Sequence, residues 1–299
     1  MSTCVIFNPA AGRARARRRL KRFLTKYEGR VTLRPTEFPG HAVELAKQAA
    51  ESGFDTIAAA GGDGTAHDVA NGILRSGIEA ILAIVPIGSA NDYAHALRRH
   101  CGVTDLLDGE ASRVDVGRVT AGGNGATRFF VEAAGCGLAG QVTLAAREIL
   151  YLQGLPLYGL AAWRALRDMR ETAEWEICYD AGERQRREVL MLSLLLGCRE
   201  GSFMMAPEAR LDDGLFNYVE VGPLGRWGGL RLLPRLAIAG PPRTHPQIAQ
   251  GCCAWVKIRS PEPLCVHTDG ELFATPADNI REITLEILPE RLWVKLCDC

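Results

Sequence analysis

Gly61-Gly62-Asp63-Gly64-Thr65 sets one carboxylate among three glycines at a point where a short apolar run gives way to an amphipathic one. Residues 54–60 read as a buried strand, and residues 66–75 read as a helix with an apolar stripe at Val69, Ala70, Ile73 and Leu74. Glycines at such a junction let the backbone approach a ligand, and the helix that follows offers its unpaired N–H groups and positive dipole end to an anion. The chemistry predicted is phosphate binding. A carboxylate beside phosphates calls for a divalent cation or for a proton to abstract.

The same arrangement recurs twice. Residues 81–87 form another apolar run, ending in Gly88-Ser89-Ala90-Asn91-Asp92-Tyr93 before a helical stretch, and Cys4-Val5-Ile6-Phe7 precedes Asn8-Pro9-Ala10-Ala11-Gly12 and a basic helical stretch. In an open parallel sheet such turns lie at the carboxyl ends of the strands, so the three would line one crevice.

The elements that must position these turns alternate regularly up to residue 120. Strands are expected at 3–8, 30–35, 54–60 and 81–87, and helices at 14–27, 40–52, 66–75 and 92–99. That order argues for a parallel sheet covered on both faces. Beyond it, runs at 128–134, 175–179, 189–196, 216–221, 254–258 and 283–288 suggest a mainly antiparallel sandwich with turns such as Asp180-Ala-Gly182 and Asp213-Gly214. Residues 138–170 are helical in pattern, with an apolar segment at 151–158, broken by Gly and Pro, that could cover a cleft for acyl chains or simply pack the core. The expected domains are 1–120 and 121–299.

With 299 residues and 47% hydrophobic content the chain is long enough for two packed domains, and 35 basic against 35 acidic side chains give no global pull toward nucleic acid. Basic residues crowd Arg13–Arg22, interleaved with Leu20, Phe23, Leu24 and Tyr27. Such a helix is either a solvated face or a contact for anionic headgroups. No run approaches the roughly 18 apolar residues of a membrane span or the apolar core of a signal peptide, so a cytoplasmic protein is expected, peripheral at most to the inner membrane surface. None of the ten cysteines forms a Cys-x-x-Cys pair, and reduced, buried thiols are expected.

Asn8-Pro9-x-x-Gly12, Thr36-Glu37 with Gly40-His41-Ala42, Gly61 to Thr65, Pro86-x-Gly88-Ser89-x-Asn91-Asp92-Tyr93-Ala94, Asp115-Val116-Gly117, Leu211-Asp212-Asp213-Gly214-Leu215 and Asp269-Gly270-Glu271 form an ordered series across positions 8 to 271. The series resembles the diacylglycerol kinase catalytic-domain family, which includes soluble bacterial lipid kinases and is related to sphingosine and ceramide kinases. The resemblance implies an α/β N-terminal domain with a phosphofructokinase- or NAD kinase-like Gly-Gly-Asp-Gly loop. It further implies a β-sandwich C-terminal domain for the lipid, with the nucleotide site in the cleft between them.

By the same resemblance the cofactors are ATP and Mg²⁺. Asn8, Thr36, Gly61, Gly62, Gly64, Thr65, Ser89 and Asn91 fall at nucleotide-binding positions, Asn91 more by shaping its loop than by contact. Asp63, Asp92 and Asp115 fall at the catalytic metal, partly through waters, and three mutually repulsive carboxylates from three loops would need a cation among them. Asp213, with backbone carbonyls around Leu211 and Phe216, falls at a separate structural metal, although a hairpin corner explains it nearly as well. Asp269, followed by Glu271, is assigned as general base in the bacterial enzymes, and Asp63 in sphingosine kinases; Asp269 is favoured here, with Asp63 on metal. Ala90 and His95 depart from the family's usual glycine and arginine. A homodimer through the Asp213 region is compatible with the pattern.

The expected function is ATP-dependent phosphoryl transfer to a hydroxyl of a membrane lipid. Two other readings stay open: a kinase for a soluble acceptor such as NAD or a sugar, and a nucleotide- or lipid-binding module without turnover.

Overall fold

The computed structural model of the chain describes residues 2–9, 14–149, 151–168, 172–180 and 182–298, with residues 14–16 and 226 as backbone only. Ala10, Ala11 and Gly12 of the first turn, Arg13 and the Arg15 side chain of the basic stretch, Ala181 and Cys299 lie outside the described residues. The chain divides into two compact units, Met1–Val116 with Pro289–Cys299, and Gly117–Leu288.

The first unit runs β1 (Thr3–Phe7), α1 (Ala14–Lys26), β2 (Thr32–Pro35), α2 (His41–Glu51), β3 (Thr56–Gly61), α3 (Asp63–Ser76), β4 (Ile81–Pro86) and α4 (Asp92–His100). Its strands pair in parallel in the order β2-β1-β3-β4. β1, β3 and β4 are buried almost end to end, as a sheet covered on both faces requires. Val5, Ala58, Ala60, Ala83 and Val85 pack with Leu20 and Phe23 of α1 and with Tyr27 just beyond it. α2 and α3 approach closely because Gly72 faces Ala46: a Cβ on Gly72 would lie 2.5 Å from the Ala46 methyl.

The second unit begins within β5 (Ser112–Ala121) and continues through β6 (Thr127–Phe130), β7 (Ala133–Gly137), α5 (Leu138–Ala146), α6 (Leu155–Asp168), β8 (Ala173–Tyr179), β9 (Gln185–Val189) and β10 (Met191–Leu195). Then come β11 (Arg199–Glu200), β12 (Phe203–Met204), β13 (Phe216–Val221), α7 (Arg226–Leu236), β14 (Ile248–Cys253), β15 (Trp255–Arg259), β16 (Val266–Thr268), β17 (Glu271–Ala274) and β18 (Glu282–Leu296). One sheet is antiparallel in the order β14-β13-β10-β7-β16-β17. β15 pairs antiparallel with β8 and with the first half of β18, and β8 pairs with β9. Gly117 is required where it stands, because a Cβ there would meet the Phe130 ring at 2.1 Å, and Phe130 in turn stacks on Phe216 at 5.5 Å.

Three expectations change. The second domain does not keep residues 121–299: β18 passes through Glu290 in left-handed conformation at φ 47°, and Trp293–Leu296 pair in parallel with β4, extending the first unit's sheet. The runs 128–134 and 189–196 are each two strands, since their polypeptides change pairing partner midway. α7 lies in a stretch where no helix was expected, with Pro234 inside it.

Candidate functional site

The carboxyl ends of β3 and β4 are adjacent in the sheet, with that of β1 on the other side of β3, so the turns that follow β3 and β4 are neighbours. Their closest approach is glycine on glycine. A Cβ on Gly88 would lie 2.4 Å from the Gly62 Cα and 2.8 Å from Asn91 Oδ1, and a Cβ on Gly61 would lie 2.3 Å from Thr65 Oγ1. Gly61 C=O also accepts the N–H groups of Ile87 at 2.8 Å and Gly88 at 3.0 Å. The two turns therefore form one backbone surface, with Gly62, Asp63, Gly64 and Thr65 half-buried and Ser89 exposed.

Asp63 and Asp92 do not stand on free loops, as expected, but in the first turns of α3 and α4. α3 starts three residues earlier than the apolar stripe implied because Gly62, in extended conformation, supplies its N-cap. Asp63 Oδ1 accepts the Tyr93 N–H at 3.2 Å and so joins the start of α3 to the start of α4. A carboxylate in either first turn is favoured by the helix dipole. Asn91, in left-handed conformation at φ 52°, donates Nδ2–H to Gly88 C=O at 2.8 Å, the loop-shaping contact its position suggested. Thr36 follows β2, its N–H bonded to Phe7 C=O at 2.9 Å, so it neighbours the half-buried Asn8.

Asp115 is neither in a turn nor on a loop. It lies inside β5, only 1% exposed, and its Oδ1 accepts the Glu290 N–H at 2.8 Å. Among the described residues no group of three or more His, Cys, Asp and Glu side chains lies close enough to hold one ion. Asp63, Asp92 and Asp115 are thus not brought together as three direct ligands, and the seat expected of them was one held partly through waters. Asp213 is exposed and its Oδ1 accepts the Leu215 N–H at 3.1 Å, the geometry of an Asx turn, between the buried Leu211 and Phe216.

In the second unit the Asp269-Gly270 pair forms the two-residue turn between β16 and β17, with φ of 50° and 79°. Positive φ at both central residues is the hairpin geometry that favours Asp-Gly. The turn is more than a turn. Asp269 is 8% exposed; its Oδ1 accepts the N–H groups of Glu132 at 2.8 Å and Ala133 at 3.0 Å, and its Oδ2 accepts that of Val131 at 2.9 Å. Its own N–H reaches Ala133 C=O at 2.7 Å. Glu271 is paired with Arg147 at 2.8 Å.

Residues 2–119 match the diacylglycerol kinase catalytic domain, and residues 133–295 match the YegS C-terminal NAD kinase beta sandwich-like domain. A diacylglycerol kinase of Staphylococcus epidermidis is 30% identical over 277 residues, covering 89% of this chain and 84% of that protein. The chain belongs to the diacylglycerol kinase catalytic-domain family. A Staphylococcus aureus diacylglycerol kinase is 28% identical over the same length, covering 89% and 85%. Among solved structures, one from Bacillus anthracis assigned as a diacylglycerol kinase aligns with a TM-score of 0.73 at 23% identity, over 98% and 96% of the two chains. Yeast NADH kinase, complexed with NADH, aligns at 0.51 and 9% identity over 99% and 83%. These two likenesses concern the fold. The α/β unit with a parallel sheet and the antiparallel unit that follows are those of the family.

Two groups were missed from sequence. His267, buried, and Glu200, partly buried, pair at 2.8 Å beside the Asp269 turn, and neither belongs to the motif residues themselves. Glu220 is also buried, accepting Tyr179 O–H at 2.7 Å and Arg187 at 2.8 Å. Burial and the Glu220 charge push the Tyr179 hydroxyl far above its ordinary range, so it stays a protonated donor. No described helix is long and apolar enough to cross a membrane.

Proposed function

We propose that this chain is an ATP-dependent lipid kinase that transfers the γ-phosphoryl group to a hydroxyl of a membrane lipid, diacylglycerol-like or sphingoid. The observation that carries the reading is the Gly62–Gly88 contact with Asp63 tied to the Tyr93 N–H, in a chain of this family. Phosphoryl transfer needs its nucleotide phosphates cradled and held in line rather than covalent help from the protein. Two helix starts and a glycine-lined backbone supply donors for those phosphates. Relatives named diacylglycerol kinase support the lipid as acceptor.

Magnesium usually keeps several waters and is held by one or two carboxylates together with substrate phosphates. That mode suits Asp63, half-buried in the first turn of α3, with Asp92 one helix away, better than a protein cage. Bound there, the ion would neutralise phosphate charge. Asn8, Thr36, Thr65 and Ser89 serve as nucleotide contacts in this reading. Asp115 acts on the metal only indirectly in this reading, through the left-handed Glu290 whose N–H it holds. A metal at Asp213, with Leu211 and Phe216, would have to draw this side chain from its Asx turn.

Asp269 is proposed as the base that takes the acceptor hydroxyl's proton. Backbone N–H groups occupy three of the roughly four acceptor positions of its carboxylate, which fixes its direction. Glu271 orients the turn through Arg147. The test is transfer of label from γ-labelled ATP, with Mg²⁺, to diacylglycerol, monoacylglycerol, phosphatidylglycerol, sphingosine and ceramide in mixed micelles, with NAD and fructose 6-phosphate alongside. Label in an organic-extractable product, lost in Asp63→Ala and Asp269→Ala, supports the proposal and names the acceptor. Label only in a water-soluble product refutes it in favour of a soluble acceptor. No transfer at all refutes it in favour of a binding module.

A further inference from the structure

The Asp269-Gly270 turn is held from a side that none of the residues assigned above supplies. His267, two residues earlier in β16, is 3% exposed and stands opposite Gly135 of β7. Its Nδ1 accepts the Gly270 N–H at 3.3 Å, and its Nε2 lies 2.8 Å from Glu200 Oε1. A ring nitrogen that accepts an N–H carries no proton, so the network assigns the proton to Nε2, which donates to Glu200. The ring is thereby a neutral bridge with a fixed tautomer. The carboxylate on one nitrogen sets which atom faces the turn on the other.

The surroundings are shaped around this pair. A Cβ on Gly135 would lie 2.4 Å from His267 Nε2 and 2.6 Å from Glu200 Oε1, so only glycine leaves the pair its space. Glu200 ends β11, whose hairpin with β12 turns through Gly201 and Ser202 at φ 58° and 69°. Tyr158 of α6 lies against both hairpin tips: a Cβ on Gly201 would sit 3.0 Å from its ring, and one on Gly270 would sit 3.5 Å from its hydroxyl. Two left-handed turns from distant parts of the chain are thus tied together by one imidazole–carboxylate bridge and backed by one tyrosine. Nearby, burial pushes the Cys136 thiol up, with the Cys265 and Glu200 charges adding to it, which keeps a competing anion out of the cluster.

We propose that His267 and Glu200 are positioning residues for Asp269: Glu200 fixes the tautomer of His267, and His267 fixes the Gly270 N–H and with it the left-handed turn that aims the Asp269 carboxylate. The proposal rests on the reading of Asp269 as base. Asp-Gly admits this left-handed turn, and the tethers around it are what narrow the turn to one geometry. Loosening one tether leaves the β16–β7 and β16–β17 ladders intact but broadens the positions of the carboxylate. A displacement near 1 Å in a reacting group can cost about 100-fold in rate.

The test compares His267→Gln, His267→Asn, Glu200→Gln and Asp269→Asn with the wild-type chain, using ATP and dioleoylglycerol in mixed micelles. Hydrogen exchange at the Gly270 amide is measured in parallel. Asparagine carries an acceptor near the place of Nδ1, whereas glutamine carries a donor near the place of Nε2 and no acceptor for Gly270. His267→Gln is expected to lower kcat roughly 10- to 100-fold, with KM for ATP within about twofold, and to speed Gly270 exchange about tenfold or more. His267→Asn is expected to retain most of both properties. Glu200→Gln should lower kcat a few-fold, and the Glu200→Gln/His267→Gln double variant should lose no more than His267→Gln alone.

Unchanged Gly270 exchange in His267→Gln, or additive losses in the double variant, overturns the proposal. If Asp269→Asn is inactive while His267→Gln matches wild type, the positioning claim fails and the base stands. If Asp269→Asn keeps full kcat, the base assignment itself fails and the proposal with it. Should His267→Gln not fold, the kcat and Gly270 exchange of Glu200→Gln decide the matter in the same directions.

Discussion

Asp63 accepts the backbone N–H of Tyr93 at 3.2 Å, so one carboxylate closes the gap between the first turns of α3 and α4. Its charge and its hydrogen bond are separable. Asp63→Asn keeps an acceptor oxygen and loses the charge, whereas Asp63→Ala loses both. The asparagine variant should cut kcat/KM by about 100-fold or more with little change in Tm, if the charge serves phosphoryl transfer. The alanine variant should be as inactive and also less stable by about 1 kcal/mol. Steady-state kinetics beside thermal melts separate the two, and an asparagine variant with wild-type kinetics would remove Asp63 from the chemistry.

Gly88→Ala tests the contact between the two turns. The added methyl would sit 2.4 Å from the Gly62 Cα, backbone that no side-chain rotation can clear. Overpacking of this kind costs about 1–3 kcal/mol, and the parted turns should raise KM for ATP roughly tenfold or more. Gly159→Ala is the control, since nothing lies within 4 Å of a Cβ there. It should leave ATP affinity unchanged.

The buried Glu220 holds Tyr179 and Arg187 together, with Tyr218 stacked on Tyr179 at 4.6 Å. Removing one partner leaves a buried charge less satisfied, so Arg187→Ala should destabilise by about 3 kcal/mol or more, whereas Tyr179→Phe should cost about 1–3 kcal/mol. Urea unfolding of the single and double variants measures the coupling. Additive losses would show that the three groups do not act together.

The parallel unit was legible because its signals are local: an apolar run, then glycines, then a stripe at helical spacing. The Asp269-Gly270 pair was legible as a turn, since positive φ at two successive residues is a demand that Asp-Gly meets. Its load of three backbone N–H bonds was not, because the donors Val131, Glu132 and Ala133 lie more than 130 residues away. Glu200 was invisible for the same reason, 67 positions from His267. α7 was hidden by Gly228, Gly229 and Pro234, which break the helical pattern that tertiary packing restores. The second half of β18 was masked by exposed Pro289, Glu290 and Arg291, which read as a strand end, whereas the strand runs on through left-handed Glu290 to Leu296.

Burial sets the order in which the thiols react. Desolvation pushes Cys4 and Cys265 up to about 11 and Cys253 and Cys297 up to about 12, against ordinary thiol values near 9. Folded-state values raised above the unfolded ones give stability that is complete below about pH 9 and is lost progressively as pH rises from there through 11 to 12. Alkaline unfolding should therefore begin in that window, and Cys4→Ser should change it. At pH 8 a short alkylation pulse read by mass spectrometry should label exposed Cys252 well before Cys4 or Cys265. Early labelling of Cys4 would contradict the burial.

Among the described residues, Leu20 and Phe23 of α1 and Tyr27 just beyond it are spent on the core while Arg17, Arg18, Arg19, Lys21 and Arg22 are exposed, so contact of this basic face with a membrane would be electrostatic. α7 offers the opposite: Trp227 is 71% exposed and Ile238, just beyond the helix, 82%. A basic residue near an anionic surface contributes about 1 kcal/mol, so Arg18→Glu with Arg22→Glu should weaken binding to phosphatidylglycerol vesicles by about 2 kcal/mol or more, roughly 30-fold, at low salt. That difference should shrink as salt rises. Trp227→Ala should weaken binding several-fold at every salt concentration, since burial of an aromatic ring is not screened. Vesicle sedimentation across a salt series distinguishes the two contributions. Binding that ignores the reversed charges would leave α1 as a solvated face, and binding that ignores Trp227 as well would remove both surfaces from contact with lipid.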